Sequence, residues 1–111
     1  MLEGASRDTT RRLLVVEDDA DICETVADLL ADEGFEVRVA YDGEEALSIL
    51  RAEPNFDLIV LDLMMPKTNG WQFRVAQRSD PVLSAIPVVA MSASTSDQAK
   101  AIDADAYVTK P

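Results

Sequence analysis

The sequence predicts an α/β domain in which a parallel sheet carries helices on both faces. From residue 12 onward, segments with strand periodicity alternate with segments of helical periodicity. Residues 58–61 form an uninterrupted apolar run that Asp62 ends, as expected for a buried parallel strand. No internal repeat, linker or low-complexity tract interrupts this alternation, so the sequence indicates one domain.

The first half of the chain predicts two strands, each followed by a helix. Residues 12–17 form the first strand, and the helix 19–33 follows, with Gly34 just past its end. Residues 35–40 alternate apolar and charged side chains, which is typical of a half-exposed strand. Asp42 caps the next helix, because an acidic residue three positions later completes a capping box. The apolar positions of the two helices recur at helical spacing: Ile22, Val26, Leu29 and Leu30, then Ala46, Leu47, Ile49 and Leu50.

The second half predicts three more strands and a third helix. Residues 57–62 form the third strand. In the helix 70–78, Trp71 and Val75 lie one turn apart, and we expect them to be a buried pair. The last two strands are short, at residues 87–91 and 106–109.

Composition excludes several classes of function. The 111 residues include 21 acids and 10 bases, for a net charge of −11, which argues against direct nucleic-acid binding because that needs a basic face. No apolar run approaches the roughly 18 residues of a membrane helix, so we expect no membrane contact. The single cysteine, Cys23, forms no internal disulfide and favours a cytoplasmic location. Residues 1–11 are charged and are expected to be a flexible tail before a domain at 12–111.

Polar side chains lie at or just beyond the carboxyl ends of four predicted strands. They are Asp18, Asp19, Asp62, Ser92 and Lys110. Because parallel strands end at the same edge of a sheet, we expect these side chains to meet there. Crowded carboxylates repel one another, and a hard cation such as Mg²⁺ relieves that repulsion. Acids, a cation, a hydroxyl and an ammonium form a site for a phosphoryl group, which one carboxylate could accept as an acyl phosphate.

Each of these residues also has a purely structural interpretation. Asp18 or Asp19 could simply cap the first helix, and Ser92 could be an ordinary loop hydroxyl. Lys110 could be solvated, and Tyr107 could be a core residue. We favour the phosphoryl site because all of these independent interpretations would otherwise have to hold together.

In their order and spacing, four stretches resemble the receiver domains of bacterial two-component response regulators. They are VVEDD at 15–19, LDLMMP at 61–66, MSA at 91–93 and YVTKP at 107–111. The resemblance covers about residues 12–111 and implies a flavodoxin-like, doubly wound five-stranded parallel sheet of order 2-1-3-4-5. It also implies a phosphorelay, in which the domain takes a phosphoryl group from a sensor histidine kinase or phosphotransfer protein and then binds a downstream protein target.

The resemblance further implies a role for individual residues. Asp62 would be the phosphoacceptor and would also bind Mg²⁺. Asp19 would bind the metal directly, Asp18 would act on it directly or through water, and the backbone carbonyl of Met64 would be a further ligand.

On the same basis, Lys110 would pair with Asp62 and then with a phosphate oxygen. The Ser92 hydroxyl and the backbone amide of Ala93 would contact the phosphoryl group, and Tyr107 would turn inward when Ser92 moves. Such a domain catalyses only its own phosphorylation and dephosphorylation, so we expect no enzyme activity on a separate substrate.

Two departures from the family pattern concern the output surface. Ser92 and Lys110 lie only 18 positions apart, and residues 94–102 hold few apolar anchors, so we expect a short or irregular fourth helix. The chain stops at Pro111, before the family's fifth helix. Its absence would leave apolar sheet surface, where a partner or a second copy of the chain could bind as a homodimer.

Three other functions compete with this interpretation. A degenerate receiver that never uses phosphate could be a docking module, which the sparse fourth helix favours and the complete set of site residues opposes. An aspartyl phosphatase would need an acid two residues after its nucleophile, where Met64 stands. A flavin-binding protein of similar topology would need a phosphate-cradling loop after the first strand, and that loop is missing.

Overall fold

Five parallel strands form one sheet in the computed structural model of the chain. The structure describes residues 10–62, 70–92 and 106–109. The strands are β1 (Arg12–Val16), β2 (Glu36–Ala40), β3 (Leu58–Asp62), β4 (Val88–Ser92) and β5 (Ala106–Thr109). Their order is β2-β1-β3-β4-β5, and every neighbouring pair is parallel. The predicted order 2-1-3-4-5 is therefore confirmed.

Three helices and one short turn connect the described strands. The helices are α1 (Ala20–Asp32), α2 (Gly43–Ala52) and α3 (Gly70–Ser79), and a 3₁₀ turn (Leu83–Ala85) precedes β4. The bounds of α1 and α3 agree with the predicted ones to within one residue. Residues 93–105, where the fourth helix was predicted, lie outside the described part of the chain. Among the described helices, none is both long and apolar enough to cross a membrane.

The two faces of the sheet bury separate apolar cores. On one face, Cys23 of α1 packs with Val15, Val60 and Met91. On the other face, side chains of α2 and α3 pack over alternate strand residues in a larger core. That core contains Leu14, Val16, Ala46, Leu50, Ile59, Leu61, Phe73 and Val88. The alternation along each strand explains why β1 and β3 are almost wholly apolar, since both of their faces are covered.

Local sequence signals set the helix boundaries. Gly34 adopts a positive φ of 99° after α1, a conformation that costs little only without a Cβ. At the start of α2, the Asp42 carboxylate accepts a hydrogen bond from the Glu45 backbone N–H at 2.8 Å. The Glu45 carboxylate accepts one in return from the Tyr41 backbone N–H at 2.6 Å. The predicted capping box is thus present, with its return bond one residue earlier than usual.

The prediction that Val75 lies on the buried face of α3 is wrong. Val75 is 67% exposed, and the buried residues among the described side chains of this helix are Phe73, Arg74 and Gln77. The side chain of Trp71, its predicted partner, lies outside the described part of the structure. A spacing of four residues defines a helical stripe but does not say which stripe faces the core. Because Arg74 and Gln77 on the buried side are polar, apolar periodicity alone did not identify that side. In α1 the same ambiguity leaves Leu29 60% exposed, although it belongs to the predicted apolar set.

An arginine joins several segments at the amino-terminal edge of the sheet. The Arg12 side chain donates to three side-chain oxygens: Glu36 at 2.8 Å, Glu53 at 2.7 Å and Asn55 at 2.5 Å. The Arg12 guanidinium carbon also lies 4.4 Å from the centroid of the Phe56 ring. The backbone N–H of Arg12 donates to the Asp57 carboxylate at 2.8 Å. This cluster holds β1, β2 and the start of β3 in register at the edge opposite their carboxyl ends.

Candidate functional site

The carboxyl ends of β1, β3 and β4 bring polar residues to one edge of the sheet. In the register of β1 and β3, Val16 pairs with Leu61, so Glu17 and Asp62 are the next residues on neighbouring strands. In the register of β3 and β4, Asp62 pairs with Met91, and Ser92 comes one residue later. The predicted edge therefore exists, with Asp62 on the central strand.

Three carboxylates converge at this edge. Glu17, Asp18 and Asp62 each place one carboxylate oxygen within 4.8 Å of the other two. Glu17 and Asp62 are fully buried, whereas Asp18 is exposed and opens the cluster to solvent. Three oxygen ligands with up to three negative charges suit a hard divalent cation, and Mg²⁺ binds through a few carboxylates while keeping several waters. The donor set in the structure thus fits Mg²⁺.

Glu17 is the member of this cluster that was not predicted from the sequence. Its backbone N–H donates to the Ala40 carbonyl at 3.0 Å, which extends the contact of β1 with β2 by one residue. Its side-chain oxygen accepts a hydrogen bond from the Asp19 backbone N–H at 3.2 Å. The available signal was a charged residue at the end of an otherwise apolar buried strand, which is costly to bury without a specific partner.

Asp19 lies outside the carboxylate cluster that the structure describes. One of its carboxylate oxygens accepts hydrogen bonds from the backbone N–H groups of Asp21 at 3.0 Å and Ile22 at 3.2 Å. Asp19 is thus the N-cap of α1, with extended backbone angles. Asp19 was expected to bind the metal directly. In the structure, the first free N–H groups of α1 donate to one of its carboxylate oxygens, whereas the carboxylates of Glu17 and Asp18 lie close to that of Asp62. The metal-binding role of Asp19 stays a prediction.

The remaining predicted site residues are only partly described. Ser92 ends β4, where it pairs with Thr109, and Tyr107 pairs with Ala90 within β5. The side chains of Ser92 and Tyr107 lie outside the described part of the structure, as do Met64, Ala93 and Lys110 altogether. The roles expected for these five residues therefore stay predictions.

Cys23 lies on the α1 face of the sheet and is fully buried. Burial raises the pKa of its thiol to about 11, and the negative charge of Glu17 is the next largest cause. A thiol with this pKa stays protonated at neutral pH, and a protonated thiol is a poor nucleophile. Cys23 therefore packs as a core residue.

Solved structures with this fold come from signalling proteins. The chemotaxis protein CheY4 of Vibrio cholerae superposes with a TM-score of 0.85 and 32% identity, over 93% of this chain and 88% of that one. The response regulator TrrA of Thermotoga maritima, solved in complex with Mg²⁺–BeF, has a TM-score of 0.80 and 32% identity, over 92% and 88% of the two chains.

A sequence relative overturns one expectation about partners. The DNA-binding response regulator MtrA of Mycobacterium tuberculosis is 40% identical over 109 residues, which are 94% of this chain and 46% of MtrA. The expectation of no direct nucleic-acid binding, which was drawn from the net charge, is therefore wrong. The net charge of −11 is that of these 111 residues alone, and the chain spans about half the length of the curated relatives it matches.

The family itself is shown by the extent of the sequence match. The family model of the response regulator receiver domain matches residues 13–111, which include all five strands except the first residue of β1. The strand order, the carboxylates at the edge of the sheet and the solved relatives all agree with that match. The chain belongs to the receiver domains of two-component response regulators.

Proposed function

We propose that this domain accepts a phosphoryl group on Asp62 in a Mg²⁺-dependent reaction, with a phosphohistidine of a sensor kinase or phosphotransfer protein as the donor. The observation that carries the proposal is the convergence of Glu17, Asp18 and Asp62. A receiver of this kind is a regulatory domain rather than an enzyme with a separate substrate.

In the proposed reaction, a carboxylate oxygen of Asp62 is the nucleophile. It forms a bond to phosphorus while the phosphorus–nitrogen bond of the donor breaks, and the electron pair of that bond returns to the imidazole. The product is an acyl phosphate on Asp62. The buried position of Asp62 at the end of β3 keeps the carboxylate in one place, which supports in-line attack.

The metal ligands proposed from the geometry are Glu17, Asp18 and Asp62, with the backbone carbonyl of Met64 added from the family resemblance. Bound there, Mg²⁺ would offset the charge of the carboxylates and of the incoming phosphoryl oxygens. We leave Asp19 out of this proposed set, because one of its carboxylate oxygens accepts backbone hydrogen bonds at the start of α1. Its proposed role is to hold the helix that follows the metal-binding residues.

The response to phosphorylation is proposed to involve β4 and β5. The Ser92 hydroxyl, the Ala93 amide and the Lys110 ammonium would contact phosphoryl oxygens, and Tyr107 would follow Ser92 inward. Supporting this, β4 adjoins β3, and Ser92 comes one residue beyond the level of Asp62. Phosphorylation adds negative charge and strong acceptors at Asp62, and these would draw the hydroxyl and the ammonium toward the site.

We propose that this protein is a DNA-binding response regulator whose receiver region regulates that binding. MtrA is named a DNA-binding response regulator, and this chain covers less than half of it. Phosphorylation of the receiver region would then control DNA binding.

The test is intact-mass spectrometry after incubation with acetyl phosphate and Mg²⁺. We expect one added phosphoryl group on the wild-type chain and none on Asp62→Asn. Asp57→Asn is a matched control, because Asp57 precedes the same strand at the opposite edge of the sheet and should leave labelling unchanged. Persistent labelling of Asp62→Asn would refute the assignment. A folded wild-type chain that never becomes labelled would favour the phosphorylation-independent docking module instead.

A further inference from the structure

A buried polar pair on α3 has no part in the function proposed above. Arg74 is 9% exposed and Gln77 is fully buried, one helical turn apart on the same side of the helix. The Arg74 guanidinium donates to the side-chain oxygen of Gln77 at 2.7 Å. The side-chain nitrogen of Gln77 donates to the backbone carbonyls of Leu83 at 2.8 Å and Ile86 at 3.0 Å.

The Gln77 amide therefore has a single orientation. Both of its N–H groups and its oxygen have hydrogen-bond partners, and exchanging the oxygen and nitrogen would set each against a group of like polarity. Arg74 enforces this orientation because a guanidinium can only donate. A fully paired polar group in a core specifies one arrangement of its neighbours, whereas an aliphatic side chain would tolerate several.

Gln77 fixes the position of the segment that leads into β4. The Leu83 and Ile86 carbonyls lie at the 3₁₀ turn and just after it. Asp80 holds the other side of this turn, since its carboxylate accepts from the Val82 backbone N–H at 2.9 Å. Immediately after Ile86, the Pro87 carbonyl accepts from the Ile59 backbone N–H at 2.9 Å, and the ladder between β3 and β4 begins.

The same ladder ends at the candidate site. Its pairs run from Ile59 with Val88 to Asp62 with Met91, and Ser92 is the next residue of β4. β4 is hydrogen-bonded to a strand on each side, so the register at its start also sets the level at which its carboxyl end lies beside β3. α3 follows Asp62 in sequence, and Gln77 connects the far end of that helix to the start of the neighbouring strand.

We propose that Gln77, oriented by Arg74, is a positioning residue for phosphoryl transfer. It sets where β4 begins beside β3, and thereby where Ser92 meets the phosphoryl group on Asp62. This inference rests on the proposed function. It assigns a role to residues far from the carboxylates, which lie on β3 and at the end of β1.

The proposal predicts different effects on the rate constant of phosphorylation and on the Mg²⁺ dissociation constant. Gln77→Met keeps the length of the side chain and removes its hydrogen bonds. We expect it to lower the rate constant of Asp62 phosphorylation by acetyl phosphate about fivefold or more at saturating Mg²⁺. The Mg²⁺ dissociation constant should stay within about twofold of the wild-type value, because the three carboxylates do not lie on β4.

Three further variants test the path through Ser92 and the role of Arg74. In a Ser92→Ala background, Gln77→Met should cause no additional loss of rate, since the group that it positions is gone. Arg74→Met leaves the two carbonyl contacts of Gln77 in place and should slow the reaction less, and Arg74→Lys should restore part of the rate.

If Gln77→Met does not fold, the comparison of Arg74→Met with Arg74→Lys decides the question. A control is Ser79→Ala, which removes the exposed hydrogen bond from Ser79 to the Val75 carbonyl and should change neither quantity.

Several outcomes would overturn the inference while leaving the proposed function intact. A wild-type chain labelled on Asp62 together with an unchanged rate in Gln77→Met would do so. An equal loss of Mg²⁺ affinity and of phosphorylation rate in Gln77→Met would also do so, because it would indicate a general loosening of the fold. A full effect of Gln77→Met in the Ser92→Ala background would show that the path does not run through Ser92. Absence of labelling in the wild-type chain would overturn both proposals together.

Discussion

Glu17 and Asp62 are both fully buried, and their carboxylate oxygens lie within 4.8 Å of each other at the ends of neighbouring strands. Two buried carboxylates at this distance repel each other unless a cation lies nearby. The exposed Asp18 completes the group and leaves one side open to solvent. Such an arrangement would suit a bound cation, and the ligand set proposed from it contains Glu17 in place of Asp19.

The first prediction concerns that ligand set. Asp18→Asn and Glu17→Gln each remove one anionic ligand, and we expect each to weaken Mg²⁺ binding roughly tenfold in isothermal titration calorimetry. Asp19→Asn keeps a capping side chain and should change the dissociation constant less than about twofold. An equal loss of affinity in Asp19→Asn and Asp18→Asn would contradict the assignment and would return Asp19 to the ligand set.

The second prediction concerns the start of α1. Asp19→Ala removes the acceptor for the Asp21 and Ile22 backbone N–H groups, so we expect the free energy of unfolding to fall by about 0.5–2 kcal/mol in urea titrations. Asp19→Asn is the matched control and should stay close to the wild-type value, because asparagine caps helices about as well. A loss as large in Asp19→Asn as in Asp19→Ala would point to the charge rather than the cap.

The third prediction concerns the amino-terminal edge of the sheet. Arg12→Met should lower the free energy of unfolding by about 1–3 kcal/mol, because it removes three side-chain hydrogen bonds and a guanidinium–ring contact at once. Arg38→Met, which breaks one exposed pair with Glu53, should cost less than about 1 kcal/mol. Similar losses in the two variants would mean that the Arg12 cluster adds nothing beyond a single surface pair.

This cluster also predicts a pH dependence on the acidic side. Hydrogen bonds from Arg12, and next from Arg38, lower the pKa of Glu53 from its ordinary value of 4.5. A lowered pKa in the folded state gives stability that is present above pH 4.5 and is lost as the pH falls through the folded value. The difference in stability between wild type and Arg12→Met should therefore narrow in acid. If the difference in free energy of unfolding between the two proteins stayed constant as the pH fell below 4.5, that result would argue against the Glu53 contact.

The fourth prediction concerns Cys23 at alkaline pH. Its pKa is about 11 in the folded chain against an ordinary value of 9.0, so the folded state keeps the proton longer than the unfolded state. Stability is then fully present below pH 9 and is lost as the pH rises toward 11, by an amount on the order of 2–3 kcal/mol. Urea titrations from pH 8 to pH 10.5 should show a steeper loss in wild type than in Cys23→Ala. If the free energy of unfolding fell equally with pH in wild type and in Cys23→Ala, the pKa of the buried thiol would not be raised.

Much of the fold follows from local sequence alone. Alternating strand and helix periodicity sets the order of the elements, because apolar runs and capping residues are short-range signals. Asp62 could be placed at the carboxyl edge of the sheet for the same reason, since it directly ends the buried run 58–61. The capping box at Asp42 and Glu45 and the helix end at Gly34 are equally local, and the structure contains both.

Tertiary structure decided which side chains face one another. Glu17, Asp18 and Asp19 are adjacent acids at a strand end, and only the turn into α1 determines that the first two reach Asp62 while the third caps the helix. Likewise, the periodicity of α3 allows several stripes, and packing against the sheet chose the one with Phe73 and Gln77. Sequence patterns fix spacing along the chain, but the direction of a side chain depends on backbone turns and on neighbours distant in sequence.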